Sequence, residues 1–304
     1  MIQNAQLLQL ELVRFFITII LLTNNKINAI LFISIEVCTF EAKFHTLILK
    51  TMNLISKWQF SVALFLFIGL NTRAQINVSD GFETRQLSKI WSTDRMEIKS
   101  FEIQSTIVRK GKSAAKITIH TGDKTETGIG TSATSERDEL LEDRSLVSVE
   151  GSKYEYKFSM FLPETFPIVS TRLVIAQWKQ YCPSGQACSD DSPVVAIRYQ
   201  SGKLFVTLQT DSGRVTLYTM KDEIRNRWLD FKFQIRFSKQ NNGEILAFLN
   251  DQEIVHFNGI VSYSENRGYL SKNWYYFKMG LYRNIMPEPM TIYIDEYSKK
   301  EIVE

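Results

Sequence analysis

The 304 residues are 44% hydrophobic and 23% charged, enough apolar material for a packed core. A formal net charge of +3, with no long Lys/Arg run and no glycine-rich phosphate pattern, excludes a bulk electrostatic nucleic-acid binder and the common nucleotide-binding loops. Residues 52–74, "MNLISKWQFSVALFLFIGLNTRA", read as a secretory leader. Lys57 supplies the positive start, "FSVALFLFIGL" the apolar stretch, and Thr72 and Ala74 the small residues before a cut after Ala74. The apolar stretch is short for a bilayer span, and "FFITIILL" at 15–22 is shorter still, so no stable membrane anchor is expected. Residues 1–51 precede a leader complete with its own Met52 and read as an upstream extension from a misassigned start. The mature chain then runs over 75–304 as one secreted domain.

From there the pattern is strands and turns. "KITIHTGD" (116–123) alternates Lys116, Thr118 and His120 on one face. "SERDEL" (135–140) puts Arg137 and Glu139 on one side of a strand. "KYEYKFSMFLP" (153–163) alternates Tyr154, Tyr156, Phe158 and Met160 against polar residues. In "VIAQWKQ" (174–180), Gln177 and Lys179 oppose Val174, Ala176 and Trp178. "SPVVAIRYQSGKLFVTLQTDSGRVTLYT" (192–219) reads as two or three strands with turns at Ser201-Gly202 and Ser212-Gly213, and Arg198 shares a face with Ala196 and Gln200. A helical turn is expected over 221–227, "KDEIRNR". "WLDFKFQIRFS" (228–238) alternates again, and "GEILAFLNDQEIVHFNG" (243–259) is a hairpin turning at Asn250-Asp251. "NWYYFKMGLYRN" (273–284) sets Phe277, Met279 and Leu281 against Tyr276, Lys278, Gly280 and Tyr282. "MTIYIDEYS" (290–298) closes the chain. Short strands at this spacing without interleaved helices predict an all-β antiparallel sandwich or jelly roll.

A sheet face carrying a phenol, an ammonium, a missing side chain and a second phenol suits the floor of a groove better than a solvated surface. Taken in order, Arg-x-Glu-Leu, the Gln-containing strand and "YFKMGLY" resemble the jelly-roll polysaccharide lyases: alginate lyases, glucuronan lyases, heparin lyase I and ulvan lyases. "DGFETRQLSKIW" (80–91) and "YIDEYS" are similar to the first and last strands of such domains, so the resemblance covers most of the mature chain. It implies a concave groove in a concanavalin-like sandwich and β-elimination from a uronate polymer, with no cofactor required. Arg137, Gln177 and one of Lys179 or Lys278 would bind the uronate carboxylate and stabilise the charge that develops beside it. Tyr282 would take the C5 proton and protonate the leaving oxygen, given cations close enough to favour its phenolate. Many relatives carry a histidine two residues after the glutamine, where this chain has Lys179. His120 is the histidine that could replace it, a surface role being the plain alternative; His256 reads as structural. Tyr276, Arg198 and Glu139 would complete the substrate-binding surface.

Cys182 and Cys188 lie in "YCPSGQACSDDS", and two cysteines in a short loop of an exported chain predict a disulfide. Asp80, Glu83 and Asp295 sit near the two chain ends, which jelly rolls bring together, and are candidates for a structural Ca²⁺. Several cations in one groove imply a polyanionic polysaccharide as partner, and no nucleic acid; a monomer is expected. The leader resembles those of marine bacteria, which puts ulvan or glucuronan first and alginate next. The competing readings are a non-catalytic carbohydrate-binding module and a glycoside hydrolase on the same fold, which needs two carboxylates at the bond.

Overall fold

The computed structural model describes residues 75–303, apart from 125, 128–132, 184–185, 187 and 189–191, together with two strands near the start. The chain divides into two units, Met1–Arg73 and Ala74–Glu304. In the first, β1 (Phe15–Thr23) and β2 (Lys26–Ile35) pair antiparallel. The leader expected over 52–74 lies outside the described residues. Among those described, no helix is long and apolar enough to cross a membrane.

The second unit is built from two antiparallel sheets. Its strands begin with β3 (Asn77–Asp80), β4 (Trp91–Ser92), β5 (Phe101–Gln104), β6 (Ala114–Ile119) and β7 (Glu126–Thr127). They continue with β8 (Ala133–Glu142), β9 (Ser148–Val149), β10 (Lys153–Phe161), β11 (Leu173–Gln180), β12 (Val195–Gln200) and β13 (Lys203–Thr210). The last are β14 (Gly213–Thr219), β15 (Trp228–Arg236), β16 (Gly243–Leu249), β17 (Gln252–Gly259), β18 (Trp274–Asn284) and β19 (Met290–Ile302). One sheet runs β17-β16-β15-β10-β19-β6-β5, with β3 beside β19. The other runs β14-β13-β12-β11-β18-β8-β4, with β7 beside β8 and β9 beside β18. This is the jelly-roll arrangement the strand pattern predicts.

The inner faces are those the period-2 reading assigns. Tyr154, Tyr156, Phe158 and Met160 of β10 and Leu229, Phe231, Phe233 and Ile235 of β15 are core residues, as are Phe277, Met279 and Leu281 of β18. Trp178 sits among them, its ring centroid 4.7 Å from that of Phe233 and 4.8 Å from that of Phe277. Such aromatic contacts add about 0.5–1.5 kcal/mol each beyond the area they bury. The hairpin turn at Asn250-Asp251 has both residues at positive φ, 49° and 64°, matching the right-handed strand twist. The helical turn expected over 221–227 does not form. Ile224 is buried, Arg225 bridges to Leu162, and the Glu223 carboxylate accepts from the backbone N–H groups of Ile224 and Arg225, so tertiary contacts hold the segment irregular.

Val174 departs from the sequence reading. The β11 ladder shifts register between Val174 and Ala176 against both β12 and β18. A bulge reverses the alternation beyond it. Leu173, Ile175, Ala176 and Trp178 therefore face the core, while Val174 joins Gln177 and Lys179 on the opposite face.

Candidate active site

The site lies on the outer face of the β11-bearing sheet, where β8, β18, β11 and β12 are consecutive neighbours. Pairing puts Tyr282 opposite Arg137 on one side and Val174 on the other, and Val174 opposite Arg198. One step along the strands, Lys278 pairs with Gln177 and Gln177 with Ala196. These rows form the floor of a cleft of about 320 Å³. Its lining brings together Arg137, Gln177, Lys179, Arg198, Tyr276, Lys278 and Tyr282, with Arg95, Arg172, Arg214, Val174, Ser192 and Pro193. Seven of these side chains are cations and none is a carboxylate.

Gly280 lets the β18 and β8 backbones close under this floor. Its φ is 144°, and a Cβ there would stand 2.2 Å from the Asp138 carbonyl oxygen and 2.7 Å from the Glu139 Cα. The missing side chain in the tyrosine–lysine face is thus a packing requirement.

Glu139 is not a substrate contact. It is fully buried beneath the cleft and gathers three donors from three strands. Lys278 Nζ donates at 3.0 Å, Arg137 Nη1 at 3.2 Å, and Gln177 Nε2 makes a short bond to the other carboxylate oxygen. Burial alone would raise the Glu139 pKa, but the charges of Lys278 and Arg137 and the Gln177 amide outweigh it and hold it below the ordinary value. Lys278 is pushed down to about 8 by burial, with Arg137 and Lys179 adding to the effect and Glu139 opposing it. Glu139 therefore orients Lys278, Arg137 and Gln177 from below.

Tyr282 is held from both faces. The Arg137 guanidinium carbon lies 4.1 Å from the ring centroid and that of Arg172 lies 4.4 Å from it. Cation–π contacts of this kind are worth roughly 0.5–2 kcal/mol each and fix the ring plane.

His120 is elsewhere. It follows β6 in the other sheet and lines a separate depression with Lys99, Ser100, Glu102, Lys116 and Thr118. Its backbone N–H and Nδ1 both face the Asp123 carboxylate, at 2.8 and 3.3 Å. The strand face it shares with Lys116 and Thr118 belongs to the sheet that does not carry the cleft. His256, on β17, is exposed beside Glu253.

The proposed calcium ligands are not a site either. Asp80 accepts from the Phe82 N–H and from Trp91 Nε1, and Glu83 accepts from the Lys112 N–H. Asp295 accepts from the N–H groups of Arg109, Lys110 and Glu296. Among the described residues no group of three acidic, histidine or cysteine side chains could hold a metal ion. Cys182 and Cys188 are disulfide-bonded, with Cα atoms 6.0 Å apart. Their loop leads to Ser192 and Pro193 at the cleft wall.

Sequence reasoning missed Arg172 and Arg214. Arg172 precedes the bulge that turns its neighbour Val174 outward, and no residue type announces that bulge. Arg214 was legible: it opens β14 after the Ser212-Gly213 turn, pairs with Gln209 and alternates with Thr216. The inner face of β8 was missed too. Glu136 and Arg283 form a fully buried ion pair at 2.7 Å, and Glu142 pairs with Lys299 at 2.9 Å. These brace β8 against β18 and β19 from the core side.

Comparison with known proteins agrees with this geometry. No curated protein matches the chain. Among solved structures it is similar to the endo-β-1,4-glucuronan lyase from the fungus Trichoderma reesei, at 20% identity over 72% of this chain and 96% of that one, with a TM-score of 0.57. It is also similar to alginate lyase A1-II′, at 14% identity over 71% and 85% with a TM-score of 0.44, and to the alginate lyase from Corynebacterium sp., at 16% over 68% and 82% with a TM-score of 0.43. At these identities the likeness concerns the fold. The family description "Polysaccharide lyase" matches residues 82–298, most of the chain and every strand of the cleft, so the chain belongs to the polysaccharide lyase family and is a lyase.

Proposed function

We propose that the chain is exported and, as a monomer, cleaves a uronate-containing anionic polysaccharide by β-elimination, with ulvan or glucuronan ahead of alginate. The observation that carries this reading is Tyr282 clamped between two guanidinium groups in a cleft that, among the described residues, is lined by seven cations and no carboxylate. A glycoside hydrolase would need two carboxylates facing the scissile bond, and the described lining residues offer none. A binding module would have no use for the buried Glu139 that aims Lys278, Arg137 and Gln177 at one place. The glucuronan lyase that shares this fold supports placing that polymer among the first candidates.

The reaction follows from the chemistry of a uronate. Arg137, Gln177 and Lys278, with Lys179 beside them, bind the carboxylate at C5 and stabilise the charge that grows as the C5 proton leaves. Tyr282, as phenolate, takes that proton. The C5 electron pair forms the C4–C5 double bond, the C4–O bond breaks, and the departing oxygen takes the proton from the Tyr282 hydroxyl, which returns to its starting state. Side chains alone complete the cycle.

The test is a panel of ulvan, glucuronan, alginate and heparin, followed by the ultraviolet absorbance of the unsaturated uronate that only elimination creates. New chain ends without that chromophore on every polymer would mean hydrolysis and would overturn the reading.

A further inference from the structure

A second hollow, of about 360 Å³, lies on the same sheet face beside the catalytic cleft. The two share three lining residues: Arg172, Arg198 and Arg214. An oligosaccharide long enough to fill both must pass over these three guanidinium groups.

The trio has the features of a prepared anion site. Each arginine is pinned through its Nε by a neutral oxygen: Arg172 by Asn284 at 3.0 Å, Arg198 by Thr207 at 3.1 Å and Arg214 by Gln209 at 2.8 Å. One edge of each guanidinium is therefore held, and all three residues line both hollows. Among the described residues no carboxylate is paired with any of the three. Arg198 Nη2 is buried with no hydrogen-bond partner. A buried guanidinium nitrogen left without an acceptor is costly, and three like charges gathered without a counter-ion repel one another. Burial, and after it the charges of Arg214 and Arg172, lower the Arg198 pKa to about 10, which leaves it charged near neutrality. An anion with several oxygens satisfies all of these groups at once, since guanidinium forks match such geometry.

The place in the sheet says which part of the polymer supplies it. Arg198 follows Tyr282 and Val174 in one cross-strand row, two strands from the catalytic tyrosine, about 10 Å at the usual strand spacing. Arg198 and Arg214 thus lie beyond the sugar undergoing elimination, whose carboxylate the proposed reaction holds on the Glu139 side, and Arg172, stacked on Tyr282, stands at the boundary between the two. We infer that Arg172, Arg198 and Arg214 form a second anion subsite, which binds a sulfate ester or carboxylate on a neighbouring sugar and selects polymers acidic at that position as well as at the bond cleaved. This rests on the reading of the cleft as catalytic.

The test measures KM and kcat for the full chain and its Arg198→Gln/Arg214→Gln variant on ulvan, chemically desulfated ulvan and glucuronan. The expected result is a KM raised by roughly tenfold or more with kcat reduced by less than about threefold, as for lost charge-assisted contacts made equally in ground and transition states. An effect on ulvan that vanishes on desulfated ulvan assigns the subsite to sulfate. An effect on glucuronan, whose neighbouring sugar offers a carboxylate and no sulfate, assigns it to a second carboxylate. A KM within about twofold of the parent on all three polymers overturns the inference, whatever Tyr282→Phe does. Arg214 is exposed, so Arg214→Gln alone carries the same test where the double variant does not fold. If the parent chain cleaves none of the polymers, the catalytic reading fails separately. Affinity electrophoresis of the same polymers then decides the subsite by whether Arg214→Gln weakens binding.

Discussion

Replacing Glu139 by glutamine removes the negative charge beneath Lys278, Arg137 and Gln177 while keeping the shape. Lys278, 3% exposed, loses its ion-pair partner, and Arg137 and Gln177 lose an ionic acceptor. Lys278 already lies low, at about 8, so giving up its proton near neutrality costs it little. That caps the lysine's share of the damage. Arg137 cannot escape by losing a proton, so the rest of the loss, to a total of about 3–5 kcal/mol for a broken buried ion network, falls on it and on Gln177. Lys278 also becomes neutral at working pH, which removes a cation from the uronate carboxylate. A group of that kind is worth roughly 10²–10³-fold in rate. Urea unfolding at pH 7 and pH 10, with kcat on the preferred polymer, tests this. The stability gap between parent and variant should narrow at pH 10, where Lys278 is neutral in both. A variant within about 1 kcal/mol of the parent at pH 7, with kcat within about threefold, would refute the claim that Glu139 organises the site.

Lys278 also sets a pH limit. Its folded pKa, about 8, lies below the ordinary 10.5, so the cost of burying its charge is fully present below about 8 and is relieved as pH rises towards 10.5. Activity runs the other way: kcat/KM should fall above about pH 8, and in Lys278→Arg, which stays charged, that alkaline limb should move up. Gly280→Ala drives a Cβ into the Asp138 carbonyl and should lower stability by about 1–3 kcal/mol or more in thermal unfolding, with a stability equal to the parent's counting against the close approach. His120→Ala should leave turnover near the parent's, because His120 lies on the other sheet. A loss as deep as that of Tyr282→Phe would restore the histidine as base.

The fold was legible because buried strands announce themselves by period 2. The core faces of β10, β15 and β18 follow it residue by residue. The site was legible where the ladder is regular, so that Arg137, Lys278 and Tyr282 converge as alternation and resemblance together predicted. It failed where geometry breaks the period, as at the β11 bulge that turns Val174 to the outer face of the sheet, and it could not say which sheet His120 would join. It also could not tell a groove contact from a buried organiser. Glu139 has the alternation of a surface residue, and only the three donors closing over it reveal its role. The acids of the inner β8 face are hidden for the same reason. Asp138, pushed up to about 7 mainly by burial, shares its surroundings with Asp123, which hydrogen bonds from His120, Lys99, Ser100 and Asp138 hold at about 2 against that same burial effect. A sequence shows two aspartates fifteen residues apart, not that they meet.

The proposed reaction depends above all on Tyr282 moving the proton. Tyr282→Phe keeps the ring between Arg137 and Arg172 and removes only the hydroxyl, so folding and polymer binding should stay close to the parent's. Formation of unsaturated uronate should fall by at least about 10²–10⁴-fold, the usual worth of a general acid–base group. A Tyr282→Phe chain that retains more than about a tenth of the parent's rate would contradict the account and leave this strand as a binding floor only.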